Sequence, residues 1–167
     1  MVYGIIIDKD DKWHTNLQKL FAAMKNEQLN YKWLISHYDC YPLKPSLQYL
    51  LDHEYEYLIL SGKELTELAE EGFQWIWGTF SAFDPSVSDE EILNHSLPRN
   101  DCYKGFWKLP LTIQHPLAKI ELVAFDSTLT LAFTKDRQLF ETIKETYPLA
   151  EDLEVYNRDF QNYQTQT

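Results

Sequence analysis

The chain reads as an α+β domain, a mixed or mostly antiparallel sheet with a C-terminal β-hairpin covered by amphipathic helices. Three observations carry that reading. Residues Lys119 to Phe133 form two apolar runs joined at Asp126-Ser127, the composition of a hairpin with a two-residue loop. Leu139, Phe140, Ile143 and Tyr147 follow at helical spacing. Upstream, short β-prone runs alternate with helical segments, without internal repeats or an interdomain linker.

Taken in order, Val2 to Ile7 reads as a buried strand, and Trp13, Leu17, Leu20, Phe21 and Met24 recur as one face of a first helix. Tyr31 to Ser36 returns to strand character. Tyr41-Pro-Leu-Lys-Pro45 breaks it, and Pro45 opens a helical turn through Leu51. Tyr57 to Leu60 is another short strand. Ser61 with Glu64 three residues on fits a capping box, so a helix starts there and Gly72 can end it. Phe73 to Phe80 reads as an aromatic strand, with Phe73, Trp75 and Trp77 on one face and Ile76 and Phe80 on the other. Ser88 and Glu91 form a second capping box before a short helix. Leu97 to Pro116, with Pro98, Gly105, Pro110 and Pro116, reads mostly as a long loop.

In the two-residue-loop register Ala124 pairs with Leu129, Leu122 with Leu131 and Ile120 with Phe133, which sets all six on one buried face. Glu121, Val123, Phe125, Thr128, Thr130 and Ala132 then make a second face that is only partly covered. Thr134 is placed to cap the following helix, which folds over the apolar face. Leu149 to Tyr156 suggest a short last helix. The single domain is expected to span 1–157, with the polar residues 158–167 as a frayed tail.

Composition narrows the functional classes. With 44% hydrophobic residues in 167, the chain has enough material for one core without a staple. The 26 acidic and 15 basic residues give a net charge of −11, which excludes nucleic acid as an expected partner and repels an anionic membrane. The same field attracts a basic protein. No apolar run approaches the roughly 20 residues of a membrane span, and the start lacks the pattern of a secretion signal. With only two cysteines, Cys40 and Cys102, the expectation is a cytoplasmic protein.

Candidate chemistry is sparse. Asp8-Lys-Asp10 has the spacing of the aspartate pair in haloacid dehalogenase-type phosphatases, which it resembles, but Asp11 departs from that pattern and a loop entering a helix accounts for the same residues. Phe125-Asp126-Ser127-Thr128 resembles the same motif without its first aspartate, and a hairpin turn explains it better. His37 and Cys40 form one short-spaced pair, where a structural zinc site would need two, so no metal or other cofactor is expected. Five glycines leave no phosphate-binding loop. An alternative ligand or catalytic site would lie between the sheet and the 97–116 loop, using Cys102, His115 and Asp126.

Phe73 to Phe83, Gln114 to Ser127 and Tyr147 to Asn157 resemble segments of small uncharacterised bacterial proteins, some of them suspected immunity factors of polymorphic toxin systems. The resemblance implies a cytoplasmic bacterial α+β protein. Joined to the charge, it leads to the expectation of a noncatalytic domain that neutralises a basic partner. Glu64, Glu67, Glu70 and Glu71 on the acidic helix would steer that partner, and Trp107 in the long loop would anchor it. A structural domain that pairs with itself through its sheet is a further alternative.

Overall fold

A computed structural model describes residues 1–9, 15–42, 44 and 56–165. Asp10, Asp11, Trp13 and the turn expected at Pro45 to Leu51 lie outside the described residues. Seven strands form one sheet: β1 (Tyr3–Ile7), β2 (Lys32–Pro42), β3 (Tyr57–Ser61), β4 (Phe73–Phe83), β5 (Ile120–Phe125), β6 (Leu129–Thr134) and β7 (Glu151–Asp152). Their order is β3-β2-β4-β5-β6-β1-β7. Every neighbouring pair is antiparallel.

Both faces of the sheet are buried. On one, α1 (Leu17–Ala23), α2 (Gly62–Glu71) and α4 (Arg137–Thr146) pack Leu20, Phe21, Leu65, Phe140 and Ile143 onto Ile5, Trp33, Phe80, Leu122 and Ala132. On the other, α3 (Asp89–Leu93), α5 (Leu153–Thr165) and the irregular segment 97–119 pack Ile92, Leu153, Phe106 and Leu111 onto Leu34, Phe83, Val123, Leu131 and Phe133. Each Leu, Ile, Val or Phe side chain among them contributes about 1.5–3 kcal/mol when taken from water. Strands buried on both faces explain the near-continuous apolar runs Gly4–Ile7 and Leu122–Phe125.

Local signals act as read at both capping boxes. The Ser61 Oγ accepts the Glu64 N–H at 3.2 Å and Glu64 reaches back to the Ser61 N–H at 2.7 Å. Ser88 and Glu91 repeat the arrangement at 3.2 and 2.9 Å. Gly72 ends α2 with φ of 83°, a conformation that glycine adopts without steric cost.

Five details differ from expectation. Asp126 and Ser127 are both left-handed (φ 50° and 53°), but the loop spans residues 126–128, so Phe125 pairs with Leu129, Val123 with Leu131 and Glu121 with Phe133. That one-residue shift carries Leu129, Leu131 and Phe133 to the opposite face from Ile120, Leu122 and Ala124. With both faces buried, hydrophobic matching does not choose between the registers. The tip is also held from outside, by the Ser127 N–H on the Ile76 carbonyl at 3.0 Å.

Second, Trp75 and Trp77 face opposite ways. Cys40 pairs with Trp75 and the preceding residue, Asp39, with Trp77, so Ile76 is an extra residue that inverts the alternation. Trp75 therefore meets Phe80 edge-on at 4.8 Å, while Trp77 meets Phe125 at 5.0 Å on the other side. Third, β2 runs past Ser36 to Pro42 by accommodating an irregularity at His37 (φ 45°). Fourth, Asp136 rather than Thr134 caps α4, accepting from Gln138 N–H at 2.7 Å, while Thr134 Oγ1 accepts from Asp136 N–H at 3.0 Å. At the C-terminal end, β7 pairs with β1 and α5 continues as helix to Thr165 where a frayed tail is expected.

Candidate functional site

The polar chemistry of this protein lies inside, beneath the segment 97–119. Glu121 is the second residue of β5, with 0% of its surface exposed. Gln114 grips it twice, donating its N–H to Oε2 at 3.0 Å and its Nε2 to Oε1 at 3.2 Å. Burial pushes the Glu121 carboxyl up to about 7, against the pull of those two bonds. Gln114 in turn accepts the Arg99 N–H at 3.0 Å, which joins the two ends of the segment. Ser36 Oγ donates to the Pro98 carbonyl at 2.6 Å and Asn100 Nδ2 to the His37 carbonyl at 3.0 Å. Thr79 and Ser81, also at 0%, bury hydroxyls that have no partner among the described residues.

Sequence reasoning placed Glu121 on a partly covered face and passed over Gln114, Ser36, Thr79 and Ser81. The available signal was a glutamate inside the otherwise apolar run Ile120–Phe125. A charged residue there requires either an open face or a dedicated partner, and the partner here is an irregular segment that strand patterning does not reveal.

The acidic helix is on the surface, and its charges are partly occupied. Glu64 serves the Ser61 capping box, and those hydrogen bonds hold its carboxyl below the usual range. Glu67 lies 3.6 Å from Lys63, and Glu71 pairs with Lys44. Glu70 is exposed. α3 adds Asp89, Glu90 and Glu91, of which Asp89 meets Lys32 at 2.8 Å.

Trp107 is half-buried rather than open, meeting Phe125 at 5.8 Å and Tyr156 at 6.1 Å. With Tyr156 and the exposed Phe160 it lines an open cleft of about 220 Å³. A short 3-10 turn, Lys104–Trp107, sets its direction, and α5 holds that turn through Asn157 Nδ2 on the Phe106 carbonyl at 2.8 Å.

Cys102, His115 and Asp126 are not brought together into one constellation. His115 is fully buried, with Nε2 3.1 Å from the Ile92 carbonyl and Nδ1 accepting the Leu117 N–H at 3.2 Å. Both nitrogens are engaged, and burial lowers its proton affinity, so it is a neutral imidazole with a structural task. Asp126 is exposed at the hairpin tip, beyond the six residues of β5, roughly 17–20 Å of strand. Cys102 is exposed, and the Asp101 carboxylate at 3.2 Å raises its proton affinity, opposite to what a nucleophilic thiol requires. Cys40 faces the core, where burial pushes its thiol to about 12, and the His37 carbonyl is taken by Asn100. No group of three or more metal-ligating side chains occurs among the described residues. Among them, too, no helix is long and apolar enough to cross a membrane.

Comparison with protein families, curated proteins and solved structures finds no match to this chain.

Proposed function

We propose that this domain acts by binding a basic protein without catalysis, in the manner of an immunity factor that neutralises a cationic toxin. The observation that carries this reading is the net charge of −11, with exposed carboxylates on α2 and α3. Such a field speeds the encounter with a cationic partner and makes it sensitive to salt. The half-buried Trp107 beside Tyr156 and Phe160 supplies an aromatic anchor of the kind that dominates binding energy once a partner has docked.

A catalytic site under the 97–116 loop has less support, because that space is filled by Phe106, Leu111, Val123, Leu131 and Phe133. Self-association is favoured by one observation: β3 occupies a sheet edge, and its Tyr57, Leu58, Ile59 and Leu60 are only half-buried. Size-exclusion chromatography separates that reading from the others.

The test is affinity capture on immobilised protein at low and high salt, repeated with the Glu67→Lys/Glu70→Lys variant. A basic protein retained at low salt, weakened by high salt and weakened again by the charge reversal supports the proposal. Retention that ignores both salt and the reversal removes electrostatic steering from it.

A further inference from the structure

The two edges of the sheet are protected unequally. β7 is two residues long, and both Glu151 and Asp152 are acidic, which discourages an added strand. β3 is five residues long, and its Tyr57, Leu58, Ile59 and Leu60 include neither charge nor proline. The phase of the β2–β3 ladder shows which backbone groups face outward. The Gly62 N–H bonds the Tyr31 carbonyl at 2.9 Å and the His37 N–H bonds the Glu56 carbonyl at 3.3 Å, so Leu58 and Leu60 bond to β2. Tyr57 and Ile59 alternate with them. Their N–H and carbonyl groups therefore point away from β2, to a side where no strand lies among the described residues. At Ser61 the edge closes, because that N–H is taken by the Glu64 carboxylate at 2.7 Å.

An acidic helix stands over each face of this edge. α2 packs on the face that carries Leu58 and Leu60, and holds four glutamates against one lysine. α3 packs on the face that carries Tyr57 and Ile59, and holds three acidic residues and no base. Beside the strand lies an open groove of about 400 Å³, whose lining includes Leu29, Ile59, Leu60, Pro85 and Asp89. The two cations in the lining are engaged, Lys32 by Asp89 and the Val87 carbonyl at 2.8 Å each and Lys63 by Glu67 at 3.6 Å.

We propose, resting on the basic-protein reading above, that β3 is the edge where that partner docks, by adding an extended strand bearing lysine or arginine alongside residues 57–60, between α2 and α3. Main-chain bonds at Tyr57 and Ile59, about four in all, hold such a strand without reading its sequence. Its side chains alternate between the two faces, so apolar stems lie on Leu58, Ile59 and Leu60 while cationic heads reach the carboxylates of α2 and α3. A second copy also offers an edge, but it brings the same two acidic helices and the same net charge of −11, so charge complementarity selects the basic strand. Trp107 packs on Phe125 of β5, three strands along the sheet, so the two contacts can be removed separately.

Two acetylated octapeptides, alternating Lys-Val and alternating Glu-Val, test this by amide hydrogen exchange of the full chain. At about ten times its Kd the Lys-Val peptide should slow exchange of the Tyr57 and Ile59 amides about tenfold. High salt should weaken its binding, and the Glu-Val peptide should leave both amides unchanged. Ile59→Pro deletes an N–H that the ladder with β2 does not use, so it should keep the fold and weaken Lys-Val binding about tenfold. Salt-sensitive Lys-Val binding that leaves Tyr57 and Ile59 unchanged, or that is undiminished in Ile59→Pro, overturns the docking edge and leaves the basic-protein reading standing. Equal protection by the two peptides overturns both. Absence of Lys-Val binding overturns the proposal, as does slowing of the two amides with protein concentration alone, which assigns the edge to a second copy. Should Ile59→Pro fail to fold, the wild-type exchange pattern with the two peptides decides.

Discussion

Gly62 lies so close to Gln28 that a Cβ at position 62 would fall 2.1 Å from the Gln28 carbonyl oxygen and 2.7 Å from the Leu29 Cα. The same carbonyl accepts the Trp33 indole N–H at 3.0 Å, and the Gly62 N–H bonds the Tyr31 carbonyl at 2.9 Å. The first residue of α2 is thereby locked against the 3-10 turn Glu27–Asn30.

Gly62→Ala is expected to destabilise the protein even though alanine is the better helix former by about 1 kcal/mol. The obstacle is backbone, which cannot swing aside as a flexible side chain can. A loss of roughly 1–3 kcal/mol in urea unfolding is the expected outcome, and a gain in stability would contradict this packing.

Asn157→Ala should cost about 1–3 kcal/mol by stripping the buried Phe106 carbonyl of the amide that reaches it from α5. The loss should appear as a shift in the denaturation midpoint at constant slope, with Trp107 fluorescence reporting the loosened turn.

Global stability should fall as pH rises from about 5 to 8. The Glu121 carboxyl is raised from 4.5 to about 7, so its contribution is complete below the unfolded value and is lost as pH passes through 7. The full span is on the order of 3 kcal/mol. Unfolding curves of Glu121→Gln across the same range should be nearly level, and a parallel decline would assign the effect to another group.

Acid acts on a different part of the molecule. The Ser61 hydrogen bonds hold Glu64 below the usual carboxylate range, so the carboxylate half of the capping box stabilises above that range and is lost as pH falls through the lowered value. Ser61→Ala should cost about 1 kcal/mol at pH 7 and less at pH 2, where the bond from the Glu64 N–H to the serine hydroxyl remains but the one to the carboxylate is gone, measured by thermal unfolding. An equal cost at both values would mean that the serine acts only through the bond it accepts from the Glu64 N–H.

What could be read from sequence divides by the range of the interaction. Ser61 with Glu64 and Ser88 with Glu91 are contacts three residues apart, and the residues that make them also announce them. The helical faces of α1 and α4 were legible because each meets the core on one side only. The register of β5 and β6 was not, since Val123 and Leu122 are equally buried on opposite faces and alternation carries no preference. The reversal between Trp75 and Trp77 depends on one extra residue, Ile76, which looks from sequence like any other strand residue. Glu121 was visible as an anomaly, but its partner Gln114 belongs to a segment with no periodicity to place it.

The position of β1 between β6 and β7 bears on how the chain is made. Among the described residues, Ile5 and Ile6 pair only with Ala132, Leu131, Asp152 and Glu151, which come much later in the chain. β1 thus waits, unpaired and apolar, for more than 120 further residues to be made before its first neighbour appears. During that interval Gly4–Ile7 is a segment for a chaperone to shield, and the sheet closes only after β6 and β7 have been made.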